Sequence, residues 1–170
     1  MNYFEFYQLP VSFLLDENLF KKKYFELSKK YHPDFHRLSS LQEQDKILEL
    51  SSFNNDAYKT LGSFDNRIEY ILELKGLVFE GEKYELPNDF LVEMMEVNET
   101  LMEMEFEKNV KKISEIKSKI HSIENDLRKS IEVIIQKNSN SENDLKIIKN
   151  YFYKKKYLTR LQDSLSKFQS

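Results

Sequence analysis

From Asn88 to Ser170 the chain contains neither proline nor glycine. Those are the two residues that most strongly interrupt helices, so nothing in this half breaks a long one. Its apolar residues supply the matching period. Ile113, Ile116, Ile120, Ile123, Leu127 and Ile134 step mostly by three and four, which predicts a helix over 110–136. At about 1.5 Å per residue it would run roughly 40 Å. A helix before it is expected to start at an Asn88 or Asp89 cap and reach about Lys108. After a polar turn, KNSNSEND at 137–144, a last helix is expected to about Phe168, with Leu145, Ile148, Phe152, Leu158, Leu161, Leu165 and Phe168 inward. Three antiparallel helices with one apolar stripe each make a bundle over 88–170.

The first half carries all three prolines and all three glycines. Asp16 is a candidate cap for a helix to Tyr31, with Leu19, Phe20, Tyr24, Leu27 and Tyr31 recurring at helical spacing. Pro33 ends it and leaves the flanking chain extended. A second helix is expected over 40–61, with Leu41, Ile47, Leu48, Leu50, Ala57, Tyr58 and Leu61 as its apolar positions and Gly62 as its stop. A third covers 65–74 and closes near Gly76, and residues 3–8 form one turn before Pro10. The stretch from Gly76 to Pro87 holds two glycines and a proline and reads as the boundary. The expected fold is all-α: a first domain over 1–75, a linker over 76–87 and the bundle over 88–170.

Composition excludes several functions. With no cysteine there is no disulfide, thiolate metal site or cysteine nucleophile. A net charge of −3 does not fit a nucleic-acid binder. No basic-then-apolar leader opens the chain, and no apolar run approaches the roughly 20 residues that span a bilayer. A cytoplasmic protein without membrane or nucleic-acid partners is expected.

The segment KKYHPDFH, Lys29 to His36, joins the first two long helices. His32, Asp34 and His36 alternate as metal ligands would, but a structural site wants four, and the remaining histidine, His121, lies in the far bundle. His32 and Asp34 could form an acid–base pair, but no nucleophile accompanies them. A plain connecting loop is the bland alternative. Over residues 21–30 the preceding helix adds Lys21, Lys22, Lys23, Lys29 and Lys30 against a single Glu26. Lys22, Lys29 and Lys30 are spaced so that two or three of them can share one exposed face.

A basic helix leading into His-Pro-Asp at the tip of a helical hairpin resembles the J-domain. That resemblance implies docking on a chaperone of the DnaK class through His32, Pro33, Asp34, Lys22, Lys29 and Lys30, and stimulation of its ATPase. It extends further. Tyr3-Phe4 with Leu9-Pro10, the block from Asn55 to Leu61, and the block from Arg67 to Gly76 are similar to the HscB family of iron–sulfur co-chaperones. Phe35 and His36 depart from it, since the residue after the tripeptide is often basic there. Lacking an amino-terminal cysteine module, the chain resembles the bacterial or short form.

In that family the second domain binds the iron–sulfur scaffold IscU and delivers it to the DnaK-type chaperone HscA. The stretch from Phe90 to Glu99 resembles its contact helix. The resemblance implies scaffold contacts at Leu91, Val92, Met95, Glu96, Glu99 and Glu103, with Tyr157 from the last helix. The residues fit such a face. Met94, Val97, Leu101 and Met104 step as a core stripe, while Leu91, Val92 and Met95 are displaced from it and run into an acidic edge. Burial of those three against the first domain is the alternative. The expected protein is a co-chaperone of iron–sulfur cluster biogenesis and not an enzyme, with no cofactor and no metal. A J-domain protein with a different client, and a small metal-dependent hydrolase, are the other readings.

Overall fold

The computed structural model describes residues 1–106 and 109–168. It contains α1 (Tyr3–Phe6), α2 (Glu17–Lys30), a 3-10 turn (Pro33–His36), α3 (Leu41–Gly62), α4 (Phe64–Leu74), α5 (Asn88–Phe106), α6 (Val110–Lys137) and α7 (Glu142–Ser166). The chain divides into two compact units, Met1–Gly76 and Leu77–Ser170. The expected helix end at Lys108 and the final residues Gln169 and Ser170 lie outside the described residues.

In the first unit, α2 and α3 form a hairpin closed by α1 and α4. The core is aromatic and aliphatic: Phe4, Tyr7, Phe13, Phe20, Ala57, Leu61, Ile68, Ile71 and Leu72 are buried. Asp16 caps α2, its carboxylate accepting the Leu19 N–H at 3.0 Å. Asn54 is the buried polar hub. Its amide donates to Ser28 Oγ at 2.9 Å and to the Tyr24 carbonyl, and its Oδ1 accepts the Tyr7 hydroxyl at 2.8 Å. One side chain thereby joins α2, α3 and the end of α1. Arg67 is buried too, and donates to the carbonyls of Phe13 and Leu61. Burial of each polar group is offset by these partners.

Several expectations shift here. Gly62 does not stop α3 by a left-handed turn; it is the helix's last residue, and Ser63 both ends α3 and caps α4 through Asn66 N–H. The left-handed stop is at Gly76, φ +67°, after α4. Leu19, Leu41 and Leu48 face solvent. Phe20 takes the core position beside Leu19, because the buried stripe of α2 lies one residue later than the leucine. Around Pro33 only His32 is extended; Pro33 itself opens the 3-10 turn, where its fixed φ suits the first position.

In the second unit α5, α6 and α7 enclose one core. Phe90, Met94, Val97, Leu101 and Met104 meet Ile116, Ile120, Ile123, Leu158, Leu161 and Leu165. Cross-helix ion pairs Glu96–Lys119 and Glu103–Lys112 run in opposite chain directions, so α5 and α6 are antiparallel. The start of α5 uses neither expected cap. Asn88 is already helical, and the Pro87 carbonyl accepts the Leu91 N–H. Asn138, in the left-handed region, ends α6, and Ser141 caps α7.

The segment between Gly76 and α5 is fastened to α7. Lys149 and Tyr153 both donate to the Glu82 carboxylate at 2.5 Å, which holds that carboxyl below its ordinary range. Tyr84 stacks on Tyr153 with ring centroids 4.2 Å apart.

Candidate docking surfaces

The His-Pro-Asp tip is exposed and ordered by its own side chains. His32 precedes the 3-10 turn in extended geometry, and its Nδ1 accepts the Asp34 N–H at 3.2 Å. With Nδ1 accepting, the neutral ring of His32 carries its proton on Nε2. His36 turns the other way and donates from Nε2 to the Lys30 carbonyl at 2.8 Å, fastening the tip to the end of α2. Asp34 Oδ1 accepts from Arg37 Nη2 at 2.6 Å and Nε at 3.1 Å. The hydrogen bond from Arg37, then its charge, hold the Asp34 carboxyl below the usual carboxylate range. Asp34 Oδ2 stands 3.8 Å from His32 Nδ1. His32 and Asp34 thus engage each other, while His36 bonds the Lys30 carbonyl, so the three side chains do not converge on one point. Among the described residues no three His, Cys, Asp or Glu side chains gather where a metal ion could sit.

Lys22, Lys29 and Lys30 are exposed, as is Lys21. Lys23 is not part of that face: its Nζ donates to the Tyr7 carbonyl at 2.6 Å, tying α2 to α1. Two tip features escape sequence reading. Arg37 lies three residues after Asp34, a spacing that the 3-10 turn brings together and an extended loop does not. Phe25 is exposed among the lysines, beside the Tyr24 ring.

On the second unit, the outer face of α5 carries most of the expected client contacts. Val92 and Met95 are well exposed and Leu91 is half-buried. Glu96, Glu99 and Glu103 are exposed beside them, and they are not equivalent. Lys119 of α6 donates to Glu96 at 2.5 Å, and this hydrogen bond lowers the Glu96 carboxyl from its ordinary value. Lys112 donates to Glu103 at 2.7 Å. Among the described residues Glu99 has no ion-pair partner. Tyr157 sits on the seam with α7: its hydroxyl accepts from Asn98 Nδ2 at 2.9 Å and its ring meets Phe90 edge-on. It is half-buried, so it borders the face instead of projecting from it. Met102 and Phe106 continue the exposed apolar line beyond the expected contacts. Their signal was in the spacing, since Met102 is seven residues after Met95 and Phe106 four after that.

No helix among the described residues is long and apolar enough to cross a membrane. Residues 86–166 match the family model of the HSCB C-terminal oligomerisation domain. The chain is 37% identical over 102 residues to the co-chaperone protein HscB homolog of Vibrio cholerae, a match covering 59% of this chain and 60% of that protein. It is 38% identical over 116 residues to the human iron-sulfur cluster co-chaperone protein HscB, covering 68% of this chain and 49% of that one. The matches therefore span between about half and three-fifths of these relatives' lengths. The crystal structure of human co-chaperone protein HscB superposes with a TM-score of 0.82 at 28% identity, over 98% of this chain and 81% of that one. Chaperone HscB from Vibrio cholerae superposes with a TM-score of 0.76 at 23% identity, over 99% and 98%, and shows the shared fold of J-domain and helical bundle. With family model, sequence relatives and fold in agreement, the chain belongs to the HscB co-chaperone family.

Proposed function

We propose that this protein is a co-chaperone of iron–sulfur protein maturation. It binds an IscU-type scaffold through α5, presents that client to a DnaK-type chaperone of the HscA kind, and stimulates the chaperone's ATPase through the His-Pro-Asp tip. One observation carries the proposal: each compact unit offers its own exposed docking surface, a basic tip on one and an apolar face with an acidic edge on the other. No step needs catalytic chemistry in this chain.

The tip's chemistry is that of a docking plug. Arg37 engages Oδ1 of Asp34, which leaves Oδ2 to accept a charge-assisted bond from a partner cation. Pro33 and the His32 and His36 hydrogen bonds set the tip before the partner arrives, so less freedom is lost on docking. Lys22, Lys29 and Lys30 steer approach to an acidic surface. On α5, Val92 and Met95 supply apolar area, and Glu99 supplies a carboxylate for a basic side chain of the client.

Single-turnover ATP hydrolysis by an HscA-type chaperone, with and without the full chain and the scaffold, tests this reading. His32→Gln should abolish stimulation while scaffold affinity stays within about twofold of wild type. A wild-type chain that leaves the hydrolysis rate unchanged contradicts the proposal.

A further inference from the structure

We infer that the client face of α5 continues through Met102 and Phe106, and that it takes an apolar ridge of the scaffold carrying one basic side chain at its middle. This rests on the reading of α5 as the client-binding helix. Val92 is 60% exposed, Met95 58%, Met102 63% and Phe106 91%. On a helix at 100° per residue, Met95, Met102 and Phe106 fall within about 20° of their mean direction, and Glu99 lies just beside them. From Leu91 to Phe106 the face is roughly 22 Å long. Scattered single apolar residues on a surface need no explanation, whereas a contiguous row along one helix marks an interaction site.

Charge selects the occupant. Glu96 and Glu103 lie at the margin toward α6, where Lys119 and Lys112 already compensate them. Glu99 lies beside the row, between it and the direction of Val92, and among the described residues nothing compensates it. Covering the row strips water from that carboxylate, so a fitting partner must bring a cation to it. A second copy of this chain does not fit. An isologous contact centred on Glu99 would set two carboxylates against each other. Methionines at positions 95 and 102 adapt to an irregular ridge, and Phe106 provides a rigid anchor at the end.

The experiment is calorimetric titration of the full chain with the cluster-free IscU-type scaffold of the same organism. Wild type is compared with Met102→Ala, Phe106→Ala, Met95→Ala and Glu99→Lys, and with Val133→Ala, an exposed valine on α6, as control. Circular dichroism verifies that each variant is folded. Met102→Ala and Phe106→Ala should each weaken the Kd about tenfold, as an anchor residue does, and Val133→Ala should not change it. If Met95→Ala weakens binding and the two new variants stay within about twofold, the face ends before Met102 and the inference is overturned. If none of the α5 variants matters, the reading of α5 itself has failed. Sedimentation of the same samples covers the remaining occupant. A wild-type dimer lost in Phe106→Ala, with scaffold affinity unchanged, also overturns the inference.

Discussion

Arg37 clamps Asp34: its Nη2 and Nε both donate to one carboxylate oxygen, at 2.6 and 3.1 Å, across a 3-10 turn. The clamp fixes which oxygen of the His-Pro-Asp tip is left for a partner. It makes Arg37 a positioning residue. In Arg37→Ala the Asp34 carboxylate is free to rotate, and ATPase stimulation should fall several-fold at neutral pH without loss of fold. Stimulation equal to wild type would remove the clamp from the account.

The same pair sets a pH dependence. Arg37 lowers the Asp34 pKa, so the interaction is fully present above the ordinary carboxylate pKa and is lost as pH falls through the folded-state value. Asp34 is ionised at pH 7 with or without Arg37, so the neutral-pH effect of Arg37→Ala is geometric. In a carboxyl-carbon NMR titration the Asp34 midpoint should lie below 3.8 and rise in Arg37→Ala. A midpoint unmoved by the substitution would show that the clamp does not persist in solution.

The glutamates of the α5 client face, Glu96, Glu99 and Glu103, should separate. Glu99→Lys should weaken scaffold binding by about 2 kcal/mol or more, as at a hot spot. Glu96→Gln should change it by less than about 1 kcal/mol, because an exposed pair with Lys119 is already satisfied and weakly coupled to the client. Equal effects of the two, measured by calorimetry, would mean that the ion pairs on α6 do not set the charge of the face.

Docking of the tip on its chaperone should be salt-sensitive. The Debye length is about 10 Å at 0.1 M salt, so steering by exposed lysines fades as salt rises. Replacement of Lys22, Lys29 and Lys30 by glutamine should lower the association rate at low salt and flatten its salt dependence. Lys23 is excluded from that set by its bond to the Tyr7 carbonyl; Lys23→Gln should instead lower stability. Stopped-flow association rates and urea unfolding report the two effects separately.

Asn54 is the first unit's most exacting polar residue. Asn54→Leu deprives Ser28, Tyr24 and Tyr7 of a partner at once and should destabilise the fold by roughly 2–3 kcal/mol. Urea unfolding measures it, and a change below about 0.5 kcal/mol would show that water replaces those bonds freely.

Much of this architecture was legible from local rules. The isoleucine stripe of α6 produces its helix because each member steps to the same face. Asp16 caps α2 and Gly76 closes α4 for reasons of backbone chemistry that act within a few residues. What was not legible depended on distant partners. Leu48 is as apolar as Leu61, and only the packing of α3 on its neighbours leaves one exposed and buries the other. Asn54 reads as a surface residue until Tyr7 and Ser28 surround it. Glu96, Glu99 and Glu103 are identical in type, and only the positions of Lys119 and Lys112 on α6 distinguish them. Arg37 is three residues from Asp34, yet its role follows from a turn type that Pro33 alone does not specify.

The central claim is that two separate surfaces bring a client and a chaperone together. Its most direct test is calorimetric titration of the full chain with an IscU-type scaffold, comparing wild type, the Met95→Ala, Glu99→Lys double variant and Asp34→Asn. The account predicts tight binding by wild type and by Asp34→Asn, and none detectable by the double variant. Undiminished binding by the folded double variant, or no binding by wild type, would contradict it.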